Sequence, residues 1–174
     1  MKNHVNFNFS TFLAVLMLAI ICLPTQAGAA TWSERKLDKA ILKIDRDLTR
    51  KRWDKVITRS QKAIPQCIAR HGDTNQMCIV MLRNINRSYE ETRRFNPDHG
   101  QIESAYKLAS QVFGKAHSTT VKTRDYYYKF LIFTEDYAAA IPLVKEIIEL
   151  EEAGPGDEYR LMQRYNQLYA LEGL

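Results

Sequence analysis

The chain has 174 residues, 25 Lys and Arg against 20 Asp and Glu, a net charge of +5, and 45% hydrophobic residues. That length fits one domain able to bury a useful core. The positive excess is mild: it allows an acidic partner or a membrane surface and demands neither. The one dense basic run, Arg50-Lys51-Arg52, reads as a solvated helix end rather than a nucleic-acid patch, so no nucleic-acid partner is expected.

Lys2 gives the chain a positive start, and an apolar run follows from Leu13 to Leu23. Pro24 ends the run, and the small residues Ala27, Gly28, Ala29 and Ala30 come next. This order predicts a secretory signal peptide over residues 1–30, cleaved after Ala27, Ala29 or Ala30. The run covers 11 residues, where a membrane-spanning helix needs about 20, so an uncleaved anchor is the weaker reading. Ile21 before Cys22 argues against a lipoprotein cysteine. A periplasmic or secreted domain over 31–174 is expected, touching membrane only through its leader.

Beyond residue 30, Pro and Gly cluster at a few turns: 71–74, 96–100, 114–117 and 154–156. Between them run segments of helical spacing. They predict seven helices, near 32–49, 52–70, 75–95, 101–113, 118–133, 137–153 and 157–172. Thr31 with Glu34 has capping-box spacing, and Asp73, Ser118 and Asp157 stand where N-caps are wanted. In the last helix, Met162, Tyr165 and Tyr169 are expected inward, with Arg160, Gln163, Arg164 and Gln167 outward.

Two of the three cysteines, Cys67 and Cys78, flank the turn at 71–74. Each lies about three residues from it, so at ~1.5 Å rise per residue they sit level across an antiparallel hairpin. A Cα separation of about 5.5–6 Å is then reachable. With an oxidising compartment, a structural disulfide is the leading reading. A zinc site with His71 and Asp73, a redox couple and two free thiols are the alternatives.

The second, fourth and sixth helices share a stripe. Trp53 leads Val56, Ile57, Ser60, Ala63 and Ile64; Ile102 leads Ala105, Tyr106, Ala109, Val112 and Phe113; Tyr137 leads Ala140, Ile141, Val144, Ile147 and Ile148. Aligned this way the copies lie 49 and 35 residues apart. The pairs Trp53/Ala63, Ala105/Ala109 and Tyr137/Ala140, each on the second helix of a pair, resemble the tetratricopeptide repeat family. The turn Phe113 to Ser118, followed by a helix and then Glu135 to Ile148, is similar to the kinesin light chain type. The resemblance implies an all-α fold: antiparallel helix pairs stacked as a short right-handed α-solenoid, about three repeats plus a capping helix. It also implies that the first helix of each pair lines a concave binding surface.

No Ser-His-Asp signature, phosphate-binding glycine loop or H-E-x-x-H motif occurs. His71, His99 and His117 fall in turns, and Glu149, Glu151 and Glu152 read as a solvated helix end. No enzyme activity, cofactor or metal is expected. Tyr126, Tyr127 and Tyr128 span too wide an arc for one buried stripe. Tyr127 and Tyr128, with Arg124 beside them and Arg83, Asn84 and Arg87 on the preceding first helix, are the candidate peptide-binding residues; packing between repeats is the plainer role for the rings. The expected function is a non-catalytic scaffold for another protein or peptide, acidic ones included. A self-assembling structural protein and a binder of envelope anions are the alternatives.

Overall fold

The computed structural model describes residues 31–95, 101–155 and 157–173. Seven helices follow in order: α1 (Glu34–Thr49), α2 (Trp53–His71), α3 (Gln76–Glu91), α4 (Gln101–Phe113), α5 (Ser118–Phe133), α6 (Tyr137–Glu152) and α7 (Glu158–Glu172). The described residues contain no strand. Each helix packs on its neighbours in sequence, and α3 also packs on α5. Among the described residues no helix is long and apolar enough to cross a membrane. The leader reading of residues 1–30 and the turn at 96–100 lie outside the described residues.

The helices keep a register of 42 residues. The first helices α1, α3 and α5 begin at 34, 76 and 118, and each is 16 residues long. Each ends in the same reversal, with Lys51, Arg93 and Glu135 at φ 52°, 52° and 59°. There the N–H of Arg52 donates to Asp47 O at 2.8 Å, that of Arg94 to Tyr89 O and that of Asp136 to Leu131 O, both at 2.9 Å. This six-to-one bond closes a helix through a left-handed residue. The second helices α2 and α4 end at Gly72 and Gly114, both at φ +84°, where glycine avoids the Cβ clash. Trp53, Phe95 and Tyr137 occupy equivalent places after the first turn.

This register corrects the spacings of 49 and 35. Ile102, aligned above with Trp53 and Tyr137, stands seven residues beyond the true equivalent, Phe95. Seven residues are two helical turns, so an i, i+3, i+4, i+7 stripe overlays itself after that slip. The turns, which do not repeat within a helix, fix the alignment. In it Ser60, Ile102 and Val144 are equivalent, and all three are 0% exposed.

Two apolar clusters form. The first joins α1, α2 and α3 through Leu37, Ile44, Val56, Ile64, Leu82 and Ile85, and reaches Ala105 on α4. The second joins α5, α6 and α7 through Leu131, Ala140, Val144, Ile148, Leu168 and Leu171. On α7 the inward stripe is therefore Leu161, Tyr165, Leu168 and Leu171. Met162 and Tyr169, expected inward, are 53% and 68% exposed, while Arg164 and Gln167, expected outward, are half-buried. The amphipathic pattern of α7 is nearly symmetric, with Tyr159, Met162 and Tyr169 forming a competing stripe, and burial of the three leucines decides between them.

The caps also differ from expectation in detail. Asn75, not Asp73, caps α3 by accepting from Met77 N, and His117 Nδ1, not Ser118, caps α5 by accepting from Thr119 N. Asn75 and His117 are equivalent in the repeat. Ser33 stands at the N-cap of α1 in place of Thr31, without a side-chain bond. Asp157 caps α7 as expected.

Cys67 and Cys78 are bonded, with Cα atoms 5.7 Å apart and both residues 0% exposed. Their equivalents one repeat later are Ala109 and Thr120, where Thr120 Oγ1 donates to Ala109 O at 3.0 Å. The disulfide and this hydrogen bond tie equivalent helix pairs at the same level. Closing a loop of 11 residues' separation stabilises by about 2–3 kcal/mol. Replacing both cysteines by Ser is expected to lower the thermal midpoint by roughly 5–10 °C, read by circular dichroism. No change between the oxidised protein and this variant would contradict the bond's role.

Candidate functional site

The first helices α3 and α5 each bury one face against the second helix of the unit before. In the third unit this pattern changes. Arg124 on α5 stands where Ala40 and Leu82 stand in the earlier units, and Glu151 on α6 stands where Cys67 and Ala109 stand. Val121 is 41% exposed, although its equivalents Leu37 and Ile79 are 0% exposed. Polar groups thus replace core, and an apolar position is left uncovered, at one place between α5, α6 and α7.

That place is a groove of about 360 Å³. Val121 and Ile147 give it an apolar wall, and Lys122, Lys129 and Arg164 make it basic. Tyr128 and Gln167 face each other across it, the Gln167 amide donating to the Tyr128 hydroxyl. Arg164 Nε lies 3.6 Å from Glu151 Oε1, while Glu151 Oε2 is buried with no hydrogen-bond partner. Lys129 is held by Asp125 at 2.8 Å and by Glu90 on α3. Burial would lower the Lys129 pKa, but the two carboxylates outweigh it and raise the ammonium above its ordinary range. Lys122 forms no ion pair among the described residues, while Arg164 is held by Glu151 and donates its Nη1 to Gln167 Oε1 at 3.1 Å.

Behind the groove, Arg124 does something other than expected. It is 4% exposed, and its Nη1 donates to Glu146 Oε1 at 2.8 Å. The Tyr106 hydroxyl lies 2.9 Å from both Glu146 oxygens, and Lys115 Nζ lies 3.0 Å from Oε2. Arg124, named above as a peptide-binding candidate, is thus buried against Glu146, and three partners hold the carboxylate that neutralises it. Burial raises the Tyr106 phenol and the Glu146 carboxylate adds to this, pushing it up to about 12. Burial alone would raise the Glu146 carboxyl too, but the bonds from Arg124, Lys115 and Tyr106 win and hold it below its ordinary 4.5.

The six peptide-binding candidates fall in different places. Arg124 and Tyr128 reach the groove. Tyr127 is half-buried and stacks on Tyr106, with centroids 6.0 Å apart. Tyr126, left out of the candidates, is 6% exposed. Arg83 donates to Asn84 Oδ1 at 3.1 Å and to Thr119 Oγ1 at 3.4 Å, and these two partners line a different hollow, between α1, α3 and α5. Arg87 lies over Trp53 at 5.3 Å, with its Nε 3.8 Å from Glu91. Arg83 and Arg87 are thus partnered within the fold, and neither they nor Asn84 line the groove that Arg124 and Tyr128 reach. Lys122, Ile147, Glu151, Arg164 and Gln167 went unnoticed as site residues. The 42-residue alignment finds one of them, Glu151, as a charge where Cys67 and Ala109 are buried; the others are brought to the groove by packing alone.

Among the described residues no group of three or more His, Cys, Asp or Glu side chains is arranged to hold a metal ion. No family model matches the chain, and no match to a curated protein is found.

The Arg124–Glu146 pair carries a measurable prediction. Breaking a buried pair costs about 3–5 kcal/mol. With Lys115 and Tyr106 still on Glu146, Arg124→Met is expected at the low end, about 3 kcal/mol, by urea denaturation. Arg124→Met combined with Glu146→Met should recover more than half of that. A carboxyl depressed in the folded state stabilises above its unfolded range and loses that contribution as pH falls. The wild type's advantage over Glu146→Gln should therefore be full at neutral pH and shrink below pH 4.5. An advantage that grows in acid would contradict the assignment.

Proposed function

We propose that this chain is an exported, non-catalytic binding module that holds a segment of another protein in the groove between α5, α6 and α7. The observation that carries this reading is the break in the repeat: in the third unit Arg124 and Glu151 replace the small or apolar residues of the earlier units, as Asp47 does in the first unit where Tyr89 and Leu131 stand later, and in the third unit Val121 is also uncovered. A fold seeking stability alone would keep Leu and Ala at those positions. A basic groove with an apolar wall and a tyrosine suits an acidic or C-terminal segment with an apolar neighbour.

The architecture we infer is three helix pairs stacked as a right-handed solenoid, tetratricopeptide-like, with α7 closing the end. In support are the helix-pair packing and the shared turns. The 42-residue step exceeds the 34 residues of a tetratricopeptide unit. The difference reflects a 16-residue first helix and a 19-residue second helix in the first unit. Export is supported by the short apolar run before Pro24 and by the buried disulfide, which persists in oxidising compartments.

The test is selection from a displayed peptide library on the exported protein. Enriched peptides should carry Asp, Glu or a free C-terminus beside an aromatic or aliphatic residue. Lys122→Glu with Arg164→Glu should weaken them at least tenfold, about 1.4 kcal/mol, with the fold retained. Binding unchanged by this double substitution, or no enrichment at all, would overturn the groove reading.

A further inference from the structure

The charges are unevenly divided. Residues 31–71 carry 12 Lys and Arg against 5 Asp and Glu, a net of +7, while residues 72–174 carry 12 against 15, a net of −3. The excess is concentrated on one face of the α1–α2 pair. Lys36, Lys39 and Lys43 follow one stripe of α1, and Arg59 and Lys62 follow a stripe of α2 beside it, around a shallow hollow of about 320 Å³. Trp32 stands at its rim with Lys36 Nζ 4.4 Å over the ring. Leu42, one turn from Lys39, is 68% exposed.

Two features show that this face is more than a polar end. Lys36, Lys39 and Lys43 are equivalent to Cys78, Met81 and Ile85 in the second unit, which are 0%, 3% and 0% exposed. This is the face that a first helix turns toward its neighbour. An end face needs only to be polar, and either sign of charge serves. Here four lysines, Lys36, Lys39, Lys43 and Lys62, form no ion pair among the described residues. The hollow holds no carboxylate; Arg59 reaches away to the buried Asp47 at 3.0 Å.

We propose that this face docks on an anionic phospholipid bilayer, with the lysines over the headgroup phosphates and Trp32 and Leu42 entering the interface. Unpaired lysines in a row on two adjacent helices match a surface of many separated anions better than one compact ligand. Tryptophan favours the water–lipid boundary.

The test uses the protein as exported and purified, its start fixed by intact mass. Co-sedimentation is measured with vesicles of phosphatidylcholine alone and of phosphatidylcholine with phosphatidylglycerol. Binding should require the anionic lipid and fade with added salt. Each cation near an anionic bilayer contributes about fivefold, so Lys36→Gln, Lys39→Gln and Lys43→Gln together should weaken binding roughly a hundredfold. Lys107→Gln, Lys145→Gln and Arg160→Gln, matched in charge but elsewhere on the surface, should have a far smaller effect. In a Trp53→Phe background Trp32 is the only tryptophan, and its emission should shift to the blue on anionic vesicles. Equal binding to both vesicle types, or equal loss in the two triple variants, overturns the proposal. So does binding to soluble polyglutamate or to a second copy of the chain that matches vesicle binding while Trp32 emission stays unchanged.

Discussion

Lys51, Arg93 and Glu135 hold left-handed backbone although none is glycine, and each stands at the same point of three successive helix pairs. A side chain there costs about 1–2 kcal/mol. The cost is offset because the reversal satisfies the last carbonyls of the first helix and delivers an aromatic residue, Trp53, Phe95 or Tyr137, to the next element. With Gly72 and Gly114 closing the second helices, the step from unit to unit is fixed at 42 residues. Everything else hangs on this step. It places Cys67 level with Cys78 and Ala109 level with Thr120.

A constant step also makes deviations readable. Ala40 and Leu82, and Cys67 and Ala109, hold two equivalent positions in the first two units, and the disulfide sits in the first apolar cluster. The third unit places a guanidinium and a carboxylate at those positions. Glu146 receives Arg124, Lys115 and Tyr106, so that charge is satisfied and buried at once. Glu151 is satisfied on one oxygen and bare on the other. A buried pair with full partners holds geometry; a half-satisfied carboxylate beside an uncovered valine is where a ligand has something to gain.

Much of this was legible in the residues. Helical spacing and turn composition placed all seven helices within a few residues, and the hairpin geometry paired Cys67 with Cys78. The repeat register was not legible from the stripe, because a heptad slip preserves it; Gly72, Gly114 and the aromatics after each first helix carried the needed information. The burial of Arg124 was hidden for a different reason. Its partner Glu146 lies 22 residues away on α6, and Tyr106 lies on α4. Only packing brings them together, and an arginine beside three tyrosines otherwise reads as surface. For the same reason Arg164, on the outer side of a terminal helix by sequence, turns inward to the groove.

The central claim is that the third unit gave up core for a site. It is tested most directly by returning two positions to residues of the earlier units: Glu151→Ala, after Ala109, together with Tyr128→Ile, after Ile44, the place that Asn86 holds in the second unit. Thermal midpoint and affinity for a selected peptide are measured on the same protein. The account predicts a midpoint that holds or rises while peptide binding is lost. A midpoint that falls while the peptide still binds would mean that these residues serve the fold, and would contradict the account.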